Sequence, residues 1–115
     1  MDTTRIQLAR KLIELKYHDG LAFETGNKIH YDNRTLFVYE AMALARRCGL
    51  SAGIRIDPAE PEWPVAFIEL PTGQISYHLE QHGSAWDNHT TYEKNLRILE
   101  WITLVAVANS ISSVI

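Results

Sequence analysis

The stretch PVAFIELPTGQISYHL, residues 64–79, constrains the fold more than any other part of the chain. Two runs rich in β-branched and aromatic residues flank Pro71-Thr72-Gly73, where proline presets one backbone angle and glycine can take positive φ. A tight hairpin is expected, with strands at 64–70 and 74–79. In an extended strand alternate residues share a face, so Ile75, Tyr77 and Leu79 form the core side. Gln74, Ser76 and His78 take the opposite, half-exposed polar side. A third short strand, IRID at 54–57, precedes them. The connecting DPAEPEWP, with three prolines and three acids, is expected to be a surface loop that carries Trp63.

Helices flank this β region. Leu8, Leu12 and Leu15 recur at helical spacing with Arg5, Arg10, Lys11 and Glu14 on the other side, which predicts an amphipathic first helix ended by Gly20. LAFETGNKIHYDN reads as a loop, after which Asp32 or Asn33 caps a second helix running to about Cys48. Phe37, Ala41, Leu44 and Cys48 mark its apolar face, and Gly49 stands where a left-handed C-cap is wanted. Thr90-x-x-Glu93 has the form of a capping box for a third helix, with Leu96, Leu99, Ile102 and Ala106 as its expected core stripe. The order α-α-β-β-β-α predicts an α+β fold, one domain over residues 1–115, with helices packed on one face of a small antiparallel sheet.

Composition removes several functions. A net charge of −3 and a pI of about 5.9 supply no bulk attraction to nucleic acid. The single cysteine, Cys48, cannot form an intrachain disulfide, and the N-terminal residues lack the apolar run of a signal peptide, so a reducing, cytoplasmic location is expected. The C-terminal WITLVAVANSISSVI is uncharged but shorter than the roughly 20 apolar residues that span a bilayer. It reads as a buried helix end or as the contact surface of a homodimer, and no membrane partner is expected.

The chemistry-bearing residues gather in SYHLEQHGSAWDNHTTYEK, residues 76–94. PTGQISYH followed by WDNHTTYEK resembles a pattern of small proteins encoded by bacteriophages and prophages, approximately P-x-G-Q-x-S-W-H and then W-D-G-H-T-T-x-E-K. The matching positions are Pro71, Gly73, Gln74, Ser76, His78, Trp86, Asp87, His89, Thr90, Thr91, Glu93 and Lys94. Tyr77 stands in place of the tryptophan and Asn88 in place of the glycine, and asparagine is the non-glycine residue most tolerant of a left-handed backbone. The resemblance implies a viral or mobile-element origin, and it carries no catalytic residue with it.

Three chemistries compete for this segment. His78, His82, Asp87 and His89 are zinc-ligand types, but in one continuous strand His78 and His82 would lie roughly 13 Å apart, so a metal site needs His78 and His89 to be brought together. For acid–base work His78 or His89 would be the base and Asp87 its orienter, with Ser76, Ser84 or Thr90 as nucleophile, yet no nucleophile elbow or phosphate loop is present. A nucleotide or phosphate at the third helix's N-terminus is opposed by Asp87 and Glu93. Against these stands a binding surface of Trp63, His78, Trp86, Asp87, His89 and Lys94, since aromatics outside the core are common at interface hot spots. The favoured expectation is an interaction protein with no enzymatic activity and no cofactor, engaging a host or phage protein. Interference with a host process such as antiviral defence is what the resemblance adds. The alternative is a small hydrolase or a metal- or nucleotide-binding protein built on His78, Asp87 and His89.

Overall fold

The computed structural model describes residues 3–25, 28–79 and 87–114. Its elements are α1 (Thr4–Thr25), α2 (Lys28–Arg47), β1 (Ala52–Asp57), β2 (Glu60–Leu70), β3 (Gly73–His78) and α3 (Asp87–Val114). The strands form one antiparallel sheet in the order β1-β2-β3. α2 lies over β1 and β2, α3 lies over β2 and β3, and α1 packs along α2 and against α3. The α+β architecture and its element order are those expected from the sequence.

The hairpin forms as read. Leu70 pairs with Gly73 across a two-residue turn, and Gly73 has φ of 135°. Ala66, Ile68 and Leu70 on β2 and Ile75 and Tyr77 on β3 are buried beneath the helices, with Leu79 buried just past the strand. A second reason for glycine at position 73 lies in α3. A Cβ there would stand 2.8 Å from Arg97 Nε, because the Arg97 side chain lies across the turn. The Arg97 guanidinium donates to the Gln74 carbonyl, and the Thr72 hydroxyl donates to the Arg97 carbonyl at 2.7 Å. The turn is thereby fastened to the middle of α3. On the open face of the sheet the Gln74 amide donates to Glu69 and accepts from Arg55, whose guanidinium covers the Phe67 ring.

Four boundaries differ from the sequence expectations. The first helix does not stop at Gly20; it runs to Thr25, and α2 begins at Lys28, so only residues 26–27 separate the two. A helical glycine costs about 1 kcal/mol relative to alanine, and the extra turns bury Ala22 and Tyr31 in return. Asp32 and Asn33 therefore lie inside α2, where Asp32 pairs with Lys28 at 2.8 Å, one turn earlier, instead of capping. DPAEPEWP is likewise not a loop. Pro58 and Ala59 make the turn, and β2 starts at Glu60. The register explains how a strand accommodates Pro61 and Pro64. Arg55 pairs with Val65 and Asp57 with Glu60, so residues 61–64 bulge opposite a single β1 residue and need not supply ladder N–H groups.

The fourth correction concerns α3, which begins at Asp87. Thr90 is already helical, and Glu93 lies on an exposed face 3.8 Å from Arg97, so Thr90 and Glu93 do not bracket the helix start. The core stripe is also displaced in part: of the expected residues Ile102 packs against the core and Ala106 is exposed. Leu96 and Leu99 are 46% and 47% exposed, whereas Lys94, Ile98 and Trp101 are buried and Ile102 and Val105 pack against the core. Both sets recur at helical spacing, and packing against Leu8, Leu12, Leu15 and the sheet selects the second.

The remaining helix expectations hold. Leu8, Leu12 and Leu15 are fully buried, and Ala41 is buried while Phe37, Leu44 and Cys48 pack against the core. α2 ends in a Schellman motif. Leu50 N–H donates to Ala45 C=O, Gly49 N–H donates to Arg46 C=O, and Gly49 has φ of 81°.

Candidate functional site

Each helix carries a charged residue on its buried stripe. Asp19 continues Leu8, Leu12 and Leu15; Arg34 precedes Val38, Ala41 and Ala45; Lys94 precedes Ile98 and Trp101. The fold brings the three together. Arg34 Nη1 donates to Asp19 Oδ1 at 3.1 Å, and Lys94 Nζ lies 3.2 Å from Oδ2 in an ionic contact without hydrogen-bond alignment. All three side chains are at most 5% exposed. Lys94 Nζ also donates to the Ser76 carbonyl at 3.4 Å and stands 3.8 Å from the centre of the Tyr77 ring. Arg34 lies over the Tyr31 ring at 5.0 Å.

A buried charge costs several kcal/mol unless it is paired and hydrogen-bonded, so this arrangement is cooperative. Both oxygens of the one carboxylate face cations, and through them α1, α2, α3 and β3 meet at a single point. Lys94 is thus held inside the protein. Tyr77 completes the cluster, its hydroxyl buried and without a hydrogen-bond partner among the described residues. Burial pushes the Tyr77 phenol well above its ordinary value of 10.0, and the nearby Asp19 carboxylate raises it further while Arg34 opposes. The sign for stability follows from a folded-state value above the unfolded one. The contribution is fully present below pH of about 10 and is lost as the pH rises beyond it. The melting temperature is therefore expected to fall on the alkaline side of about pH 10, and Tyr77→Phe to fall less steeply, as calorimetry at stepped pH would show.

The other candidates are distributed as follows. Trp63 is in the bulged part of β2 and His78 is the last residue of β3, its backbone paired with Val65. Asp87, His89 and Thr90 form the first turn of α3, by backbone. His82, Ser84 and Trp86 lie outside the described residues. Ser76 is half-buried in β3, and Cys48 sits partly buried in the turn that ends α2. The bonds that join β3 to α3 run from Ser76 to Lys94 and from Gln74 to Arg97. Among the described residues no three His, Cys, Asp or Glu side chains gather in a way that would hold a metal ion. No helix among them is long and apolar enough to cross a membrane.

A family model for the WDGH domain matches residues 16–101, three quarters of the chain. The chain belongs to the WDGH domain family. The matched range of this WDGH protein starts within α1 and ends in α3 at Trp101, so it takes in the whole Asp19–Arg34–Lys94 cluster and the sheet. It also contains Trp86-Asp87-Asn88-His89. Neither the curated proteins nor the solved structures include a match to the chain.

Sequence reading missed Asp19 and Arg34 as site residues, although a signal existed. Each is a lone charge in phase with an apolar stripe, and charges at such positions are rarely fully buried unless paired. A helix end at Gly20 and a loop over 21–33 put Asp19 in a last turn and Arg34 in a first turn, where a charge is ordinarily solvated.

Proposed function

We propose that this WDGH protein is a small binding module and not a catalyst, presenting Trp63 and the segment from His78 to His89 to a protein partner. The observation that carries this reading is the bonding of Lys94. The one site candidate whose side-chain contacts are described is engaged internally, by Asp19, the Ser76 carbonyl and the Tyr77 ring. Together with the Arg97 and Thr72 bonds, it fixes β3 against α3. A base fixed in this way lowers the ordering cost of recognition beside it. The phage-type pattern extends the proposal to a phage or prophage product that acts in the cytoplasm on a host process such as antiviral defence.

The test is a partner complex isolated from the producing cell and titrated with variants. Trp63→Ala or Trp86→Ala is expected to weaken it by about thirtyfold or more, the scale of an interface hot spot, with His78→Ala and His89→Ala near wild type. Loss of function on His89→Ala with the complex intact would instead support the hydrolase, metal or nucleotide reading of His78, Asp87 and His89.

A further inference from the structure

The outward side of α3 is built like an interface. Leu96, Leu99, Thr103 and Ala106 follow the 3-4-3 spacing of a helix-pairing seam, and all four are exposed. Leu104 and Val107 beside them are 55% and 51% exposed. The Thr103 hydroxyl donates to the Leu99 carbonyl, so its hydrogen is satisfied within the helix. No charged residue occurs from Trp101 to Ile115. A contiguous patch of exposed apolar side chains marks an interaction surface. Next to this seam, a groove of about 440 Å³ opens between α1 and α3, with Ile13, Lys16, Tyr17, Gly20, Leu21 and Glu24 along one wall and Asn95 on the other. A Cβ at Gly20 would meet nothing within 4 Å, which leaves room for a close approach.

We propose that the occupant is a second copy of this chain, paired through α3 in an antiparallel, two-fold arrangement. Charge favours that direction. Glu93, Arg97 and Glu100 all lie in the N-terminal half of α3, and antiparallel pairing sets them against the uncharged half of the other copy. Parallel pairing would bring each glutamate toward its own counterpart. The seam from Leu96 to Ala106 is centred on the middle of α3, so a two-fold axis there overlaps the two helices along their whole length. The same axis carries Val107 of the second copy to the level of Asn95, beside the α1 groove.

Area favours a dimer that uses both features. With 28 residues, α3 is about 42 Å long, and a strip about 10 Å wide along it offers roughly 400 Å². The α1 wall from Ile13 to Glu24 brings the total to about 600 Å² per copy, the lower end of what stable interfaces bury. The outer face of α2 is a poorer candidate. Its exposed Ile29, Leu36 and Tyr39 are interrupted by Asp32, which is 59% exposed, and bordered by Lys28, Arg46 and Arg47. This inference rests on the outward face of α3 and the α1 groove and does not depend on the partner-binding reading.

Sedimentation equilibrium of the full chain tests it, with circular dichroism to verify folding. The wild type is expected to sediment as two chains of 13.1 kDa. Leu99→Glu, on an exposed position, should weaken association by about 100-fold or more while the helical signal is retained, and Leu36→Glu should leave the dimer unchanged. A wild-type monomer well above micromolar concentration would overturn the proposal. So would a dimer that survives Leu99→Glu, or one that Leu36→Glu dissociates equally.

Discussion

Asp19→Ala is expected to destabilise the protein by about 3–5 kcal/mol, the cost of removing one member of a buried ion pair. The deletion leaves Arg34 and Lys94, 3% and 4% exposed, facing each other without the carboxylate that served both. A small domain is stable by only about 5–15 kcal/mol in total, so the variant should be close to unfolding at room temperature. Asp19→Asn keeps the shape and one acceptor, and should cost less. The combined replacement Asp19→Leu, Arg34→Met and Lys94→Met removes every charge at once, and is expected to recover much of the loss because no ion is left unpaired. Urea unfolding of the three variants gives the comparison. A loss under about 1 kcal/mol for Asp19→Ala would mean that the cluster is screened by water and is not the junction described above.

The second large effect separates two neighbouring faces of α3. Ile98 is fully buried among Leu8, Leu12 and the sheet residues, so Ile98→Ala should cost about 2–5 kcal/mol through lost burial and the cavity it leaves. Leu96, two residues earlier, is 46% exposed, and Leu96→Ala should cost less than about 1 kcal/mol at a dilution where the chain is monomeric. The sequence stripe through Leu96 and Leu99 predicts the opposite ranking. Chemical denaturation of both variants therefore reports directly on the rotation of α3 about its own axis.

That rotation shows what periodicity can and cannot determine. In the first turns of α1 Arg5, Arg10 and Glu14 fall away from Leu8, Leu12 and Leu15, and the buried face is the one the spacing indicates. α3 is apolar on several sides from Ile98 onward, so two stripes satisfy the same spacing and only packing distinguishes them. The hairpin was legible because Pro71 presets one backbone angle and Gly73 permits a positive φ, both local effects independent of the rest of the fold. What the sequence did not reveal was the reason for Gly73 that comes from Arg97, a contact between residues 24 positions apart. The proline-rich β2 failed as an expectation for a different reason. Proline argues against a ladder position, but a bulge removes the requirement for a ladder N–H, and the bulge depends on how β1 pairs. The α1–α2 connection was overestimated because glycine and asparagine cluster there, while the gain from burying Ala22, Tyr31 and the Asp19–Arg34 pair is tertiary.

Of the candidate residues 76–94, Ser76 and Lys94 lie where β3 packs against α3. Lys94, read as part of a binding surface, bonds inward, and its partner Asp19 comes from a helix 75 residues earlier in the chain. Gly73 and the Gln74 side chain have structural work in the hairpin, whereas Ser76 contributes its backbone carbonyl, a bond that does not depend on the residue type.

Native mass spectrometry of the protein purified from its producing cell, with neither metal nor chelator added, tests the binding-module reading most directly. The account predicts masses that correspond to one or two copies of the chain, alone or with a second polypeptide that Trp86→Ala releases. A zinc or nucleotide mass that vanishes on His89→Ala would contradict it and place chemistry in the segment between β3 and α3.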